Sequence, residues 1–199
     1  MISGGSKVAY WLSHYIVDVV THALPAVLTL YTIDVFEVDA PKVNIIFLAF
    51  CLANPLFVYS MNFFFSNDSI ASIFIRVFYF AFGGVAPIAS QVLMTISRQT
   101  IAVGKYLKYY FTLVPIFNLN NGYISINSRA TLEIALKMDE GDLQPLDWEC
   151  AGESLCWIVI VAFVCLIFIC AIENNMHIRL FRPYYKPILT CIDMIHESL

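Results

Sequence analysis

The sequence predicts an all-α integral membrane protein with four transmembrane helices and a re-entrant helical hairpin. Hydrophobic residues make up 60% of the chain and charged residues 13%, whereas about a quarter of the residues in soluble domains are charged. The charges gather in short stretches between long uncharged runs. Four of these runs are close to or above the roughly 20 residues that a helix needs to cross a hydrocarbon core. Lipid therefore surrounds most of this fold.

The four predicted spans differ in their polar content. The first contains Asp18 near its middle, and the second has no charge but carries Asn54-Pro55 at its centre. The third contains Arg76 and a predicted break at Gly83–Pro87, and the last is the most uniformly apolar. The spans cover about residues 8–33, 43–65, 70–97 and 154–172.

A fifth run, at about residues 106–128, predicts the re-entrant hairpin. It is rich in aromatic residues but contains a proline, a glycine and four asparagines, and an unpaired amide in hydrocarbon costs a few kcal/mol. We place its turn at Asn120, Asn121 and Gly122, because Asn-Gly favours positive φ. Non-helical backbone is tolerated at this depth only where protein covers it.

Four crossings and a hairpin place both termini on one side of the membrane. An acidic polar loop is predicted at 129–153, and a basic interfacial tail at 176–199. In the tail, Arg179, Arg182 and Lys186 lie beside two tyrosines, a composition that anchors a chain at anionic headgroups. Positive charges are divided almost evenly between the two sides, so they do not fix the orientation.

His14, Asp18 and His22 are spaced four residues apart and form a polar stripe on the first helix. Three interpretations are open. Asp18 hydrogen-bonds a neighbouring helix and fixes packing; the stripe lines a groove that contacts water or lipid headgroups; or the two imidazoles serve a metal or proton relay. Arg76 has two interpretations, an arginine that extends to the interface and a clamp on a lipid phosphate.

Other site classes are disfavoured. A net charge of −4 without a basic patch argues against a nucleic-acid partner. Six cysteines occur without a CxxC pair, so neither a metal site nor a disulfide framework is expected, although Cys150 and Cys156 could pair in an oxidising compartment.

Four motifs lie along the chain in the order ISGGSKVAYWLSHYIVDVVTHALP, LVPIFNLNNGY, PLDWECAGESL and IRLFRP. They resemble motifs of the A-subfamily ABC transporters, which export lipids. The stretch ISGGSKVAYWLSHYIVDVVTHALP is similar to an ISG turn followed by YWLSN, WD and a proline in that family. Downstream, LVPIFNLNNGY resembles the family's FPHFCLGRG, PLDWECAGESL its PxSWDLVGRNL, and IRLFRP its FIRPR. The motifs follow the family's order across nearly the whole chain.

The resemblance implies the last four helices of one six-helix half, most like the second half, in a type V ABC exporter-like arrangement with cytosolic termini. Asp18 matches an aspartate of the family motif, whereas His14 stands where the family usually has asparagine. This sequence contains no counterpart of the first two helices, of the large extracellular domain between them or of the coupling helix.

The 199 residues also contain no GxxxxGK[ST] phosphate loop, whose amides and lysine hold the phosphates of ATP. We therefore expect no enzymatic activity. The expected function is that of a non-catalytic subunit that contributes helix packing and lipid contacts to a larger membrane complex. The alternatives are one part of a split lipid transporter, with the ATPase on another chain, and a fragment of a longer exporter, which a chain running from Met1 to Leu199 disfavours.

The expected partners are membrane lipids and other integral membrane subunits, with a separate ABC ATPase chain as a further candidate. No cofactor is expected, and phospholipid is the candidate ligand. No secretory signal or transit peptide precedes the first span, which is therefore expected to direct insertion itself. The protein is multi-pass, and the mitochondrial inner membrane, the plasma membrane and endomembranes are all candidates for its location.

Overall fold

The computed structural model describes residues 7–65, 67–136 and 142–173. The basic tail predicted at 176–199, with Arg179, Arg182 and Lys186, lies outside the described residues. Within the described ranges every regular element is a helix. The helices are α1 (Lys7–Val35), α2 (Val43–Asn62), α3 (Asp68–Tyr79), α4 (Ala86–Ile96), α5 (Arg98–Phe111), α6 (Pro115–Asn127), α7 (Arg129–Leu136) and α8 (Glu153–Glu173), with two π-helical segments at Phe80–Val85 and Trp148–Gly152.

Four helices in the described part of the chain are long and apolar enough to cross a membrane, which confirms the predicted fold class. Two of them combine a π-helical segment with an α-helix, because α3 continues through Phe80–Val85 into α4 and Trp148–Gly152 continues into α8. The four candidate spans are Ala9–Val35, Val43–Asn62, Ser69–Ile96 and Trp148–Ile172.

The predicted break at Gly83–Pro87 is wrong. The helix passes through this stretch as a π-helical segment, and the amide of Ala86 bonds the carbonyl of Ala81, five residues earlier. Pro87 falls in the first turn of α4. Proline cannot donate a backbone hydrogen bond and so disturbs the helix before it. The π-helical segment accommodates one additional residue per turn, so that the chain stays helical up to Pro87.

The re-entrant segment is two helices, but its turn is not at Asn120, Asn121 and Gly122. These residues lie within α6, and the chain reverses at 112–114 instead. The local turn preference of Asn-Gly is overridden because the asparagine amides find hydrogen-bond partners inside the protein. The chain that follows α6 returns to the loop between α1 and α2, where Arg129, the first residue of α7, lies 3.6 Å from Asp39.

The polar loop predicted at 129–153 is also partly wrong, since α7 and the second π-helical segment occupy its two ends. Buried Glu133 in α7 accepts a hydrogen bond from the backbone amide of Leu143. This bond ties Leu143 to the helix, and it gives α7 a tertiary anchor that charge content alone does not indicate.

Helix α6 lies at the centre of the unit, packed against α2, α8 and the first π-helical segment. Its side chains join α2 and α8 in one apolar core, which includes Ile46, Leu119 and Ile158. Helix α5 packs against α4, whereas α1 packs chiefly against α2. None of the most apolar window of α1 is buried, so its outer face is open to lipid or to a partner chain.

Candidate functional site

Asp18 connects α1 to α2. The Tyr59 hydroxyl of α2 donates a hydrogen bond to Asp18 Oδ2, and both side chains are half-buried. One turn earlier on α1, the Tyr15 hydroxyl donates to the backbone carbonyl of Leu52 at 2.8 Å. These bonds give the first helix polar ties to the rest of the structure, in agreement with the packing interpretation of Asp18.

Aromatic rings surround this hydrogen bond. The centroids of Trp11 and Tyr59 lie 5.5 Å apart, with an angle of 62° between the ring planes. Tyr10 lies 6.0 Å from Trp11 and 4.5 Å from His14. The members of this aromatic–carboxylate cluster lie near the end of α2 and in the first half of α1, with Asp18 towards the middle of that helix. They are Tyr10, Trp11, His14, Asp18 and Tyr59.

The structure does not bring the three residues of the polar stripe to one point. His14 is exposed, and its ring contacts Tyr10. His22 Nδ1 lies 2.7 Å from the backbone carbonyl of Asp18, a hydrogen bond when Nδ1 carries the proton. Among the described residues, the Asp18 carboxylate is the only one of the three side chains bonded to a side chain of another helix.

Arg76 lies apart from the aromatic–carboxylate cluster. Its Nη2 donates to Ser72 Oγ at 3.2 Å on the same helix, and the side chain is exposed. This hydrogen bond positions the guanidinium along α3, and both earlier interpretations of Arg76 stay predictions.

Asparagine amides form the buried polar centre of the re-entrant segment. Asn118 Nδ2 donates to the carbonyl of Thr112 at 2.6 Å and closes the turn between α5 and α6. Asn121 Nδ2 donates to Ser154 Oγ of α8 at 3.0 Å, while its Oδ1 accepts from Gln91 Nε2 of α4 at 3.3 Å. The amides therefore hold three elements together, which is a structural role.

Two pairs in the structure were missed in the sequence. Lys108 Nζ of α5 lies 2.6 Å from Glu153 Oε2 in the first turn of α8, with both side chains about one-quarter exposed. These charges are distant in sequence, and nothing in the pattern pairs them. Trp11 and Tyr59 were also missed, although aromatic residues at span ends are typical of an interfacial site.

An apolar groove of about 320 Å³ lies between α1, α2 and α8, and none of the five residues of the aromatic–carboxylate cluster lines it. Its lining includes Tyr15, one turn from Trp11, Leu56, one turn from Tyr59, and Phe163 of α8. The groove and the cluster together present a polar end and an apolar trough on one surface. An elongated amphipathic molecule fits such a surface.

Comparison with known proteins agrees with this architecture. Residues 1–171 match the model of the family described as ABC-2 family transporter protein. The chain is 25% identical over 201 residues to ATP-binding cassette sub-family A member 2 of Rattus norvegicus, covering 95% of the chain and 8% of that protein. It is 25% identical over 185 residues to Phospholipid-transporting ATPase ABCA7 of Homo sapiens, covering 88% of the chain and 9% of that protein.

The chain thus spans less than a tenth of the length of these relatives. Its matched region is the transmembrane part of such proteins, and ATPase activity belongs to a separate domain that these 199 residues do not contain. From the family match and the four apolar helices we conclude that this chain belongs to the ABC-2 family of transporter proteins, as a membrane domain related to the A subfamily.

Proposed function

We propose that this chain is a non-catalytic membrane unit that contributes helix packing and phospholipid contacts to a larger ABC-type lipid exporter. The ATPase of that assembly belongs to a domain or chain other than these residues. A relative that covers most of the chain is named as a phospholipid-transporting ATPase, which supports phospholipid as the ligand.

The observation that carries the proposal is the apolar groove, with the aromatic–carboxylate cluster about one helical turn from its lining residues. A phospholipid has a polar headgroup joined to long acyl chains, and the cluster and the groove offer a polar and an apolar environment close together. The groove opens on the outside of the unit between α1, α2 and α8, where lipid has access to it.

A second candidate is a subunit of a membrane complex without an ABC ATPase. The exposed apolar surface of α1 favours partner helices, whichever complex supplies them. Val20 and Leu28 are 65% and 58% exposed, although they lie in the middle of the span. Both candidates therefore predict that partner helices lie against α1. They differ in whether a partner chain contains a nucleotide-binding domain.

Photo-cross-linking in native membranes tests both candidates. A photoreactive residue at Val20 or Leu28 is expected to capture a chain that contains a nucleotide-binding domain. The same residue at Ile158, which is fully buried, serves as a control that should cross-link only within the chain. Neighbours that lack such a domain would support the second candidate, and capture of lipid alone at both positions would overturn both.

The location follows from the same experiment. Fractionation before cross-linking separates the mitochondrial inner membrane from the plasma membrane and endomembranes. The fraction that yields the specific neighbour identifies the membrane in which the unit works.

A further inference from the structure

We propose that one buried water molecule binds at the first turn of α6, between the side-chain oxygen of Asn118 and the backbone amide of Ile116. The site lies at the tip of the re-entrant segment, where the chain reverses at 112–114. The water stabilises this tip within the membrane, whichever partner or lipid the chain binds.

The side chain of Asn118 has one bonded and one unbonded polar atom. Nδ2 donates to the carbonyl of Thr112 at 2.6 Å, which fixes the orientation of the amide. Among the described residues, Asn118 Oδ1 is the one buried side-chain oxygen or nitrogen atom with no hydrogen-bond partner. Asn118 is 0% exposed, so bulk solvent does not reach this oxygen. A buried acceptor that stays unpaired loses its hydration without compensation.

The start of α6 supplies a donor on the same side. Val114 is the N-cap residue, and no side-chain hydrogen bond caps the helix. The amides of Phe117 and Asn118 both donate to the Val114 carbonyl, and Pro115 has no N–H group. This leaves the Ile116 amide without an acceptor in the described part of the chain. The Asn118 side chain extends back beyond the N-cap, so Oδ1 is held near the end of the helix towards which this amide points.

These two groups determine which ligand fits. Oδ1 only accepts a hydrogen bond and the Ile116 N–H only donates one, so the ligand must be both a donor and an acceptor. An anion is repelled by Oδ1, and a cation is disfavoured at the positive end of the helix dipole. A neutral water molecule satisfies both groups.

Thr112 offers the water a third contact. Its hydroxyl donates to the carbonyl of Tyr109 at 2.6 Å, which leaves the lone pairs of Oγ1 able to accept. Thr112 and Asn118 are already joined by the bond from Nδ2, so this oxygen lies close to the site. Buried waters in proteins make about three hydrogen bonds, and the tip of the hairpin provides this number.

The packing around the tip excludes larger ligands. Thr112 is 1% exposed and Phe117 is 0% exposed, and the rings of Phe111 and Phe117 lie with their centroids 5.5 Å apart. A lipid headgroup or hydroxyl would have to displace these side chains to reach Oδ1, whereas a water molecule can be enclosed by them. Non-helical backbone is tolerated at membrane depth only where its polar groups are satisfied.

Solution NMR of the full chain in a detergent with deuterated alkyl chains tests the proposal. The Ile116 amide proton and the Asn118 Nδ2 protons are expected to show through-space cross-peaks to water, with the sign of a bound molecule and not of proton exchange. Asn121 is the matched control in the same sample. It is equally buried, but Ser154 and Gln91 occupy its Nδ2 and Oδ1, so its Nδ2 protons should show no such cross-peak.

Asn118→Leu keeps a similar volume, removes the acceptor and should abolish the water cross-peak of Ile116. If this variant does not fold, a crystal structure of the wild-type chain provides the second measurement, with a water expected about 2.7–3.0 Å from both Asn118 Oδ1 and the Ile116 nitrogen. Missing cross-peaks at both residues of the wild type would overturn the proposal. So would an equal cross-peak at Asn121, a cross-peak of Ile116 that persists in folded Asn118→Leu, or a crystal structure with another group bonded to Oδ1.

Discussion

The Tyr59 hydroxyl donates a hydrogen bond to the Asp18 carboxylate and so joins the middle of α1 to the end of α2. Helix α1 packs chiefly against α2, and two further hydrogen bonds between them have backbone carbonyls as acceptors, from the Tyr15 hydroxyl to Leu52 and from the Cys51 thiol to His22. The Tyr59 bond joins two side chains, and so helps to hold the first span in place.

Replacing Tyr59 with Phe should lower stability without creating a cavity. Interhelical hydrogen bonds in membranes contribute about 0.6 to 2 kcal/mol, and the charged acceptor places this bond towards the upper end. The measurement is the thermal unfolding midpoint in detergent, which should fall. Tyr31→Phe, at an exposed tyrosine of the same helix, should leave the midpoint unchanged. Equal midpoints for both variants would show that the hydrogen bond from Tyr59 to Asp18 does not contribute to stability.

Adjacent glycines of the first π-helical segment should respond differently to alanine. A Cβ at Gly83 would lie 2.7 Å from Ile116 Cγ1 of α6, whereas a Cβ at Gly84 would have no neighbour within 4 Å. Overpacking typically costs about 1–3 kcal/mol, so Gly83→Ala should be destabilising and Gly84→Ala neutral. Denaturant unfolding compares the two, and both share the same helical environment. A neutral Gly83→Ala would mean that α6 lies farther from this segment.

The ion pair between Lys108 and Glu153 should show favourable coupling. It links α5 to α8 in a partly exposed site, and removal of one charge leaves the other with no partner in that contact. We expect Lys108→Met and Glu153→Gln each to destabilise, with a coupling energy of about 1 kcal/mol in the double-mutant cycle. The exchanged pair, Lys108→Glu with Glu153→Lys, should recover part of the loss. If the effects of the two single substitutions simply add in the double variant, the two charges have no favourable coupling.

Cysteine labelling from each side of the membrane should confirm that α5 and α6 re-enter rather than cross. In a background without native cysteines, Asp39→Cys and Asn127→Cys should react from the same side, because Arg129 beside Asn127 reaches Asp39. Asn67→Cys, which precedes α3, should react only from the other side. Labelling of Asn127→Cys together with Asn67→Cys would require a fifth crossing.

The sequence predicted the fold class well because a hydrocarbon solvent leaves few choices. Every backbone polar group must be satisfied within its own segment, so long uncharged runs such as 43–65 are necessarily helices. The four spans differ from the observed helices mainly at their ends. The turn predicted at Asn120–Gly122 could not be excluded in the same way. These residues are helical because of contacts with Ser154, Gln91 and Ile46, which lie far away in sequence.

The candidate site was predicted only in part. Asp18 attracted attention because a carboxylate within an apolar run needs a partner, and the structure supplies Tyr59. The identity of that partner depends on how α1 and α2 align, which their sequences do not specify. His14 and His22 share the four-residue spacing with Asp18, yet they make different contacts, because spacing along one helix does not show which side chains reach a second helix.

The central position of α6 has a consequence for biogenesis. The Asn121 side chain is bonded to Ser154 of α8, which the ribosome completes later, and to Gln91 of α4, which it has already released. Until α8 emerges, the Asn121 amide lacks its acceptor on Ser154, and an unpaired amide in hydrocarbon costs a few kcal/mol. We therefore expect α6 to reach its final position only after α8 has been made.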